Sequence, residues 1–369
     1  MTFVRIDGVP HHVRVDGSGP VCVLSPGLGM CWFDWDLVVP LLAPHRTVVR
    51  FDRPGLGLSG PPRAWPTLDG EARRIAHVLD ALGFGGPVTV AGHSLAGFHA
   101  EAFARLFPTR TAGLVLLDAG VEEEPRPRRA RSARNAATRA CGTILSAAGI
   151  PYALGPLLRR AAVRAGRTPS APAPPPPAHR PPEDHDRPST TRRPPGDGDG
   201  PDLTHRPPED RDRLRFTGRP PGDGDGPDGL THRPPEGRPR PRRTPGDPAP
   251  YALVRRTYGT SRSLRAVLAE NATYADEAVE LAALRRDFPL PDVPVAVLAA
   301  GSPRWLGRQR ALAAYLGAAF RVVAPSGHLV MLDRPEDVAD ALLSSGATED
   351  ATGEGRTHVR PPFDEGRAQ

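Results

Sequence analysis

The chain has no lysine: all 48 basic residues among its 369 are arginine. A sequence that uses Arg even where Lys would serve reads as a coding bias. The arginines and the net charge of +6 are therefore weak grounds for a phosphate-tracking surface, and no nucleic-acid partner is expected. Cysteine is scarce: Cys22, Cys31 and Cys141 are an odd number without metal-like spacing. That excludes a disulfide framework and a zinc site, implies no metal or other cofactor, and fits a reducing, cytoplasmic location. No apolar run reaches the length of a membrane span, and Met1–Arg5 lacks a signal-peptide core. The apolar stretch Ile144–Leu158 is interrupted by Gly149, Pro151, Gly155 and Pro156, which predicts a helix pair rather than an anchor. A last absence bears on chemistry: no Asp or Glu occurs between Asp292 and Asp333.

Proline, by contrast, is abundant. The chain has 47, roughly half of them between Thr168 and Pro250. That segment repeats itself. His179–Asp184 recurs at His205–Asp210, and Arg193–Asp202 recurs at Arg219–Asp228. Each unit is Pro, Gly, Asp and Arg with almost nothing to bury. Such a segment cannot offset its own ordering entropy, so disorder is expected over about 168–250 and in the polar tail 346–369. The basic excess lies around Arg126–Arg167 and reads as a solvated helix face.

Outside these segments, strand and helix patterns alternate. Val21–Leu24, Thr47–Phe51, Val88–Ala91 and Ala112–Leu117 read as strands. Trp35–Leu42, Leu68–Leu82 and Leu95–Phe107 have helical spacing between them. The pattern returns with Val293–Ala299, Gln309–Leu316, Phe320–Ala324 and Pro335–Leu343, the last helix expected to be capped by Asp333. Strict alternation predicts an α/β architecture with a doubly wound, mostly parallel sheet. The organisation is then 1–120 and 292–345 as two parts of one core, with 121–291 as a helical lid inserted after the sixth strand.

The chemistry-bearing signal is Val88-Thr89-Val90-Ala91-Gly92-His93-Ser94-Leu95-Ala96-Gly97. A β-branched strand runs into a small-residue turn holding a serine, and a helix follows at once. Such a turn pushes the hydroxyl out of the sheet at the strand's C-terminal end, and the following helix N-terminus can stabilise an oxyanion. Three more segments follow the same logic. Val23–Gly29 ends a strand before Trp32 and Trp35. Phe51–Ser59 (FDRPGLGLS) is a glycine-rich turn. Pro325–Pro335 (PSGHLVMLDRP) sets His328 between a strand and a helix.

Together these segments resemble the α/β-hydrolase family, in particular its lid-bearing, serine-esterase and haloperoxidase-like branch. Ala96 stands where the family motif has its last Gly, and Pro26-Gly27 where the family has His-Gly. The resemblance implies Ser94 as nucleophile, His328 as general base, and the N–H groups of Leu28 and Leu95 as an oxyanion hole. The acid usually follows the penultimate strand, but Ala299–Trp305 has no carboxylate. Some branches place it one core strand earlier, which nominates Asp118, with Glu122, Glu123 and Glu124 as rivals. The implied activity is hydrolysis of a carboxylic ester or related small-molecule acyl compound. Cofactor-free perhydrolysis on the same triad, and a non-catalytic binding protein of this fold, are the alternatives. Trp32, Tyr152, Leu306 and Met331 are candidates for an apolar pocket or for core.

Overall fold

The computed structural model describes residues 2–167 and 246–345. The repeat up to residue 245 and the tail from residue 346 lie outside the described residues. Gly246–Pro250, expected to belong to the low-complexity segment, is described, and Asp247 and Ala249 are buried.

Eight strands make one sheet: β1 (Thr2–Ile6), β2 (Val9–Asp16), β3 (Val21–Ser25), β4 (Thr47–Phe51), β5 (Val88–His93), β6 (Thr111–Leu117), β7 (Val295–Ala299) and β8 (Ala319–Val322). Their spatial order is β1-β2-β4-β3-β5-β6-β7-β8. β2 runs antiparallel to β1 and β4, and every other pairing is parallel. The β1–β2 turn is Asp7-Gly8, both with positive φ (49° and 74°), the backbone that a two-residue hairpin matching strand twist requires.

The central strands are apolar on both faces because both faces are covered. Val23, Val49, Val90, Leu114 and Leu116 enter one core cluster, while Cys22, Leu24, Val48, Ala91, Val115 and Leu117 enter the other. Alternate residues of one strand thus feed opposite layers. On the first face pack α2 (Leu68–Ala81), α3 (Ala96–Leu106), the later turns of α7 (Ser261–Asp287) and α8 (Pro303–Leu316). On the second lie α1 (Val39–Leu42), α9 (Val330–Asp333) and α10 (Pro335–Ser344). Helix α2 shows the local logic. Leu68, Ala72, Ile75, Ala76 and Leu79 form its buried stripe, and the Thr67 hydroxyl accepts from the Gly70 N–H to cap it. Removing such a cap costs about 1 kcal/mol.

Between β6 and β7 run α4 (Arg131–Ala147), α5 (Ile150–Gly166), α6 (Tyr251–Tyr258) and α7. The α4–α5 break falls at Gly149, whose φ of 73° suits glycine, and the chain turns there by 103°. No single helix among the described residues is long and apolar enough to cross a membrane.

Two expectations need correction. Trp35–Leu42 is not one helix: Trp32–Trp35 forms a 3-10 turn, and α1 is a single turn beginning at Val39. Asp333 does not cap α10, where Arg334 holds the cap position without a side-chain bond. Asp333 instead accepts the Gly327 N–H (2.9 Å) and pairs with Arg167 (2.8 Å). The nearer, better-paired donors take the carboxylate away from the helix end.

The chain leaves β3 toward β4 on one side and returns to β5 on the other. The C-terminal ends of β3 and β5 therefore flank a crevice, the place where sheets of this kind hold ligands.

Candidate active site

Ser94 follows β5 at that crevice with φ of 53°, a left-handed backbone uncommon outside glycine. Small residues make the turn possible. A Cβ on Gly92 would lie 2.1 Å from the Ala96 carbonyl oxygen, and one on Gly97 would lie 2.5 Å from the Ala119 Cβ. The close approach to the segment after β6 thus falls at Gly97, and Ala96 is accommodated, fully buried.

Asp118 follows β6, and His328 lies in the loop after β8. The Ser94 hydroxyl lies 3.0 Å from His328 Nε2, and His328 Nδ1 lies 2.5 Å from Asp118 Oδ2. With Nδ1–H donated to the carboxylate, Nε2 is free to accept from the serine. Asp118 is buried, with its other oxygen accepting the indole N–H of Trp305 (2.7 Å) and the Ala300 N–H (3.2 Å). Its φ is also positive, at 44°. The loop without a carboxylate, Ala299–Trp305, therefore supplies two donors to the carboxylate from the neighbouring strand. The rival glutamates are exposed, and Glu123 pairs with Arg308 (2.9 Å).

Leu95 caps α3 and is buried, while Leu28 lies half-buried in the loop after β3. No backbone carbonyl among the described residues accepts from either N–H. Arg53 secures the Leu28 loop by donating to the carbonyls of Pro26 and Gly27 and by pairing with Glu270 of α7. The neighbouring Asp52 accepts from the Trp32 N–H (2.9 Å), the Leu58 N–H (3.0 Å) and His12 (3.0 Å), a scaffold role.

His93 is buried, and its Nε2–H donates to the His328 carbonyl at 2.9 Å. Burial, reinforced by the neighbouring His328 ring and only partly opposed by that hydrogen bond, pushes its pKa down to about 3. It is a neutral prop for the His328 loop. Gly27 must be small beside it, since a Cβ there would lie 2.7 Å from His93 Nδ1.

A cavity of about 200 Å³ opens at Ser94 and His328, bounded by Leu28, Met30 and Leu329 and roofed by Ala162, Val163 and Gly166 of α5. Trp32, Tyr152, Leu306 and Met331 do not line it. Met331 is core, Trp32 is packed between His12 and the Arg14 and Arg50 guanidiniums, and Tyr152 is exposed. Among the described residues no group of His, Cys, Asp and Glu is arranged to hold a metal ion.

A serine elbow at the switch point of such a sheet, with helices inserted after the sixth strand, defines a class. The chain belongs to the α/β hydrolase family, whose profile matches residues 22–341. Among curated relatives, an uncharacterized protein of Mycobacterium tuberculosis is 35% identical over 120 residues, 32% of this chain and 35% of that protein. A 2-hydroxy-6-oxo-6-(2'-aminophenyl)hexa-2,4-dienoic acid hydrolase of Metapseudomonas resinovorans is 29% identical over 136 residues, 34% of this chain and 46% of that protein. The matches thus span less than half the length of these relatives. Among solved structures, a thermophilic esterase from Thermogutta terrifontis superposes with a TM-score of 0.56 at 17% identity, covering 93% of this chain and 97% of that one. The enol-lactonase from Burkholderia xenovorans gives 0.53 at 16%, covering 93% and 98%. At these identities the structural likeness speaks to the fold.

Proposed function

We propose that the protein is a serine hydrolase that cleaves a carboxylic ester or related acyl compound through an acyl-enzyme on Ser94. The observation that carries this reading is the continuous hydrogen-bonded line from Ser94 through His328 to Asp118, at 3.0 and 2.5 Å. His328 Nε2 takes the hydroxyl proton as Ser94 Oγ attacks the acyl carbon, then delivers it to the leaving oxygen. Asp118 fixes the tautomer and stabilises the imidazolium. The Leu28 and Leu95 N–H groups receive the oxyanion, each such donor being worth about 2.7–4 kcal/mol of barrier. Water then repeats the sequence on the acyl-enzyme. The inserted helices act as the lid that roofs the site. Three free thiols, two of them buried, fit a reducing compartment.

A relative's name speaks of dienoic acid hydrolysis and a structural neighbour's of enol-lactone hydrolysis, and both are compatible with acyl transfer to a serine. The test is labelling of the full chain with a fluorophosphonate beside Ser94→Ala, with p-nitrophenyl ester turnover in parallel. Labelling and turnover lost together in Ser94→Ala support the reading. A folded wild type that neither labels nor turns over any ester would make it a binding protein instead.

A further inference from the structure

Beside the Ser94 cavity lies a second chamber of about 260 Å³, walled by Met30, Leu158, Leu264 and Val267 among others. The two share Leu28, Met30, Arg159 and Ala162 in their walls, so they lie side by side. Among the described residues, Arg159 is the one Arg, Asp or Glu in either lining.

An arginine beside a reactive serine would ordinarily suit a substrate carboxylate. This one is already taken. Its Nε donates to Asp247 at 2.9 Å, its Nη1 to the Tyr258 hydroxyl at 3.2 Å, and its Nη2 to both Asp34 and Asp247. Both carboxylates are fully buried, and the guanidinium is 4% exposed. Two carboxylates on one guanidinium leave no positive charge over. A substrate carboxylate in the chamber would lose its water and gain no free cation to pair with.

We propose that this chamber is the acyl subsite of the enzyme, taking an uncharged aliphatic chain and rejecting chains that end in a carboxylate. The proposal rests on the serine-hydrolase reading. The experiment uses the full chain with p-nitrophenyl acetate, butyrate, hexanoate and octanoate, and with the mono-p-nitrophenyl ester of adipic acid, a hexanoate-length chain ending in a carboxylate. Fluorophosphonate labelling runs alongside. kcat/KM should rise about fourfold per methylene until the chamber fills. The adipate ester should fall at least about 100-fold below the hexanoate, the cost of stranding a charge. Leu264→Trp should move the preferred length toward shorter chains, and Leu264→Ala toward longer ones. The two changes act in opposite directions, so loss of either variant to misfolding leaves the other informative. Labelled enzyme with flat length dependence, or with equal turnover of the adipate ester, overturns the subsite alone. Folded enzyme that neither labels nor turns over any ester overturns the hydrolase reading and the subsite with it.

Discussion

Arg53 and Glu270, 217 residues apart, form a buried two-pronged pair: Nε to Oε1 at 2.6 Å and Nη2 to Oε2 at 3.1 Å. Glu270 also accepts the Gly29 N–H at 2.8 Å, and Arg53 Nη2 reaches the Gly27 carbonyl at 2.7 Å. The pair holds the loop from both sides of Leu28, carbonyls to one partner and the next N–H to the other. A helix from the insertion thereby sets the loop after β3. Breaking one half of a buried pair costs about 3–5 kcal/mol, whereas replacing both halves with apolar residues is often near neutral. Glu270→Ala should therefore lower stability by that order. The Arg53→Met/Glu270→Leu double variant should recover most of it, while its kcat stays about 10–100-fold down because Leu28 is no longer held. Urea unfolding and steady-state kinetics on the wild type and the two variants test this. A double variant with wild-type kcat would show that the loop needs no clamp.

The Trp305 indole bears on Asp118 in the same way. The hydrogen bond to the carboxylate is 2.7 Å long and joins α8 to the end of β6. A bond to a charged group contributes about 1.5–3 kcal/mol. Trp305→Phe keeps the ring and loses the donor. Its kcat on a p-nitrophenyl ester should fall about tenfold with KM little changed, because Asp118 is less firmly aimed at His328. On the proposed mechanism Asp118→Asn should be far more severe, about 10⁴-fold. A wild-type kcat in Trp305→Phe would mean that Trp305 acts by packing rather than through its N–H.

Much of this was legible in local sequence and some was not, for a physical reason. The elbow at Ser94 and the His328 loop are continuous segments whose small residues and flanking strand and helix declare them. The strand pattern is likewise local, since residues of alternate parity along β3 and β6 feed the two core layers. Trp305, Glu270 and Arg159 gain their meaning from partners 88 to 241 residues away. One signal did exist. Ala266, Glu270, Thr273, Glu277 and Leu281 fall on one helical face of α7, so two carboxylates sit on a stripe that is otherwise apolar or small, and both find buried partners, Arg53 and His99. The misplaced cap at Asp333 has the same origin: its neighbours in space, Gly327 and Arg167, outrank its neighbour in sequence.

His93 gives a pH dependence with a definite sign. Its pKa is about 3 in the fold against 6.5 in a free chain. Between those values the unfolded state holds one more proton than the native state. Stability from this group is therefore lost as pH falls through that window, by about 1.4 kcal/mol per unit, and is unaffected above it. His93→Gln retains an N–H for the His328 carbonyl but does not titrate. Urea unfolding between about pH 4 and pH 6 should show the variant's stability falling less steeply than wild type by about one proton. Parallel slopes would mean that another group carries the acid sensitivity.

The ends of the long insertion are pinned at the His328 loop. The Gly166 carbonyl accepts the Leu329 N–H at 2.9 Å, and Arg167 pairs with Asp333 at 2.8 Å. Arg167 Nη1 also donates to the Gly246 carbonyl at 3.0 Å, so Arg167 and Gly246 lie side by side. Asp247 then locks onto Arg159 within one residue. None of these contacts draws on residues 168–245. A Gly-Ser linker of about four residues spans up to about 14 Å and should close the gap without strain. The excised protein should unfold within a few degrees of the full chain and keep its kcat/KM on a short ester. A large drop in unfolding temperature would show that the segment contributes to the fold. Retained stability with altered kcat/KM would show that it acts on the site through Gly166.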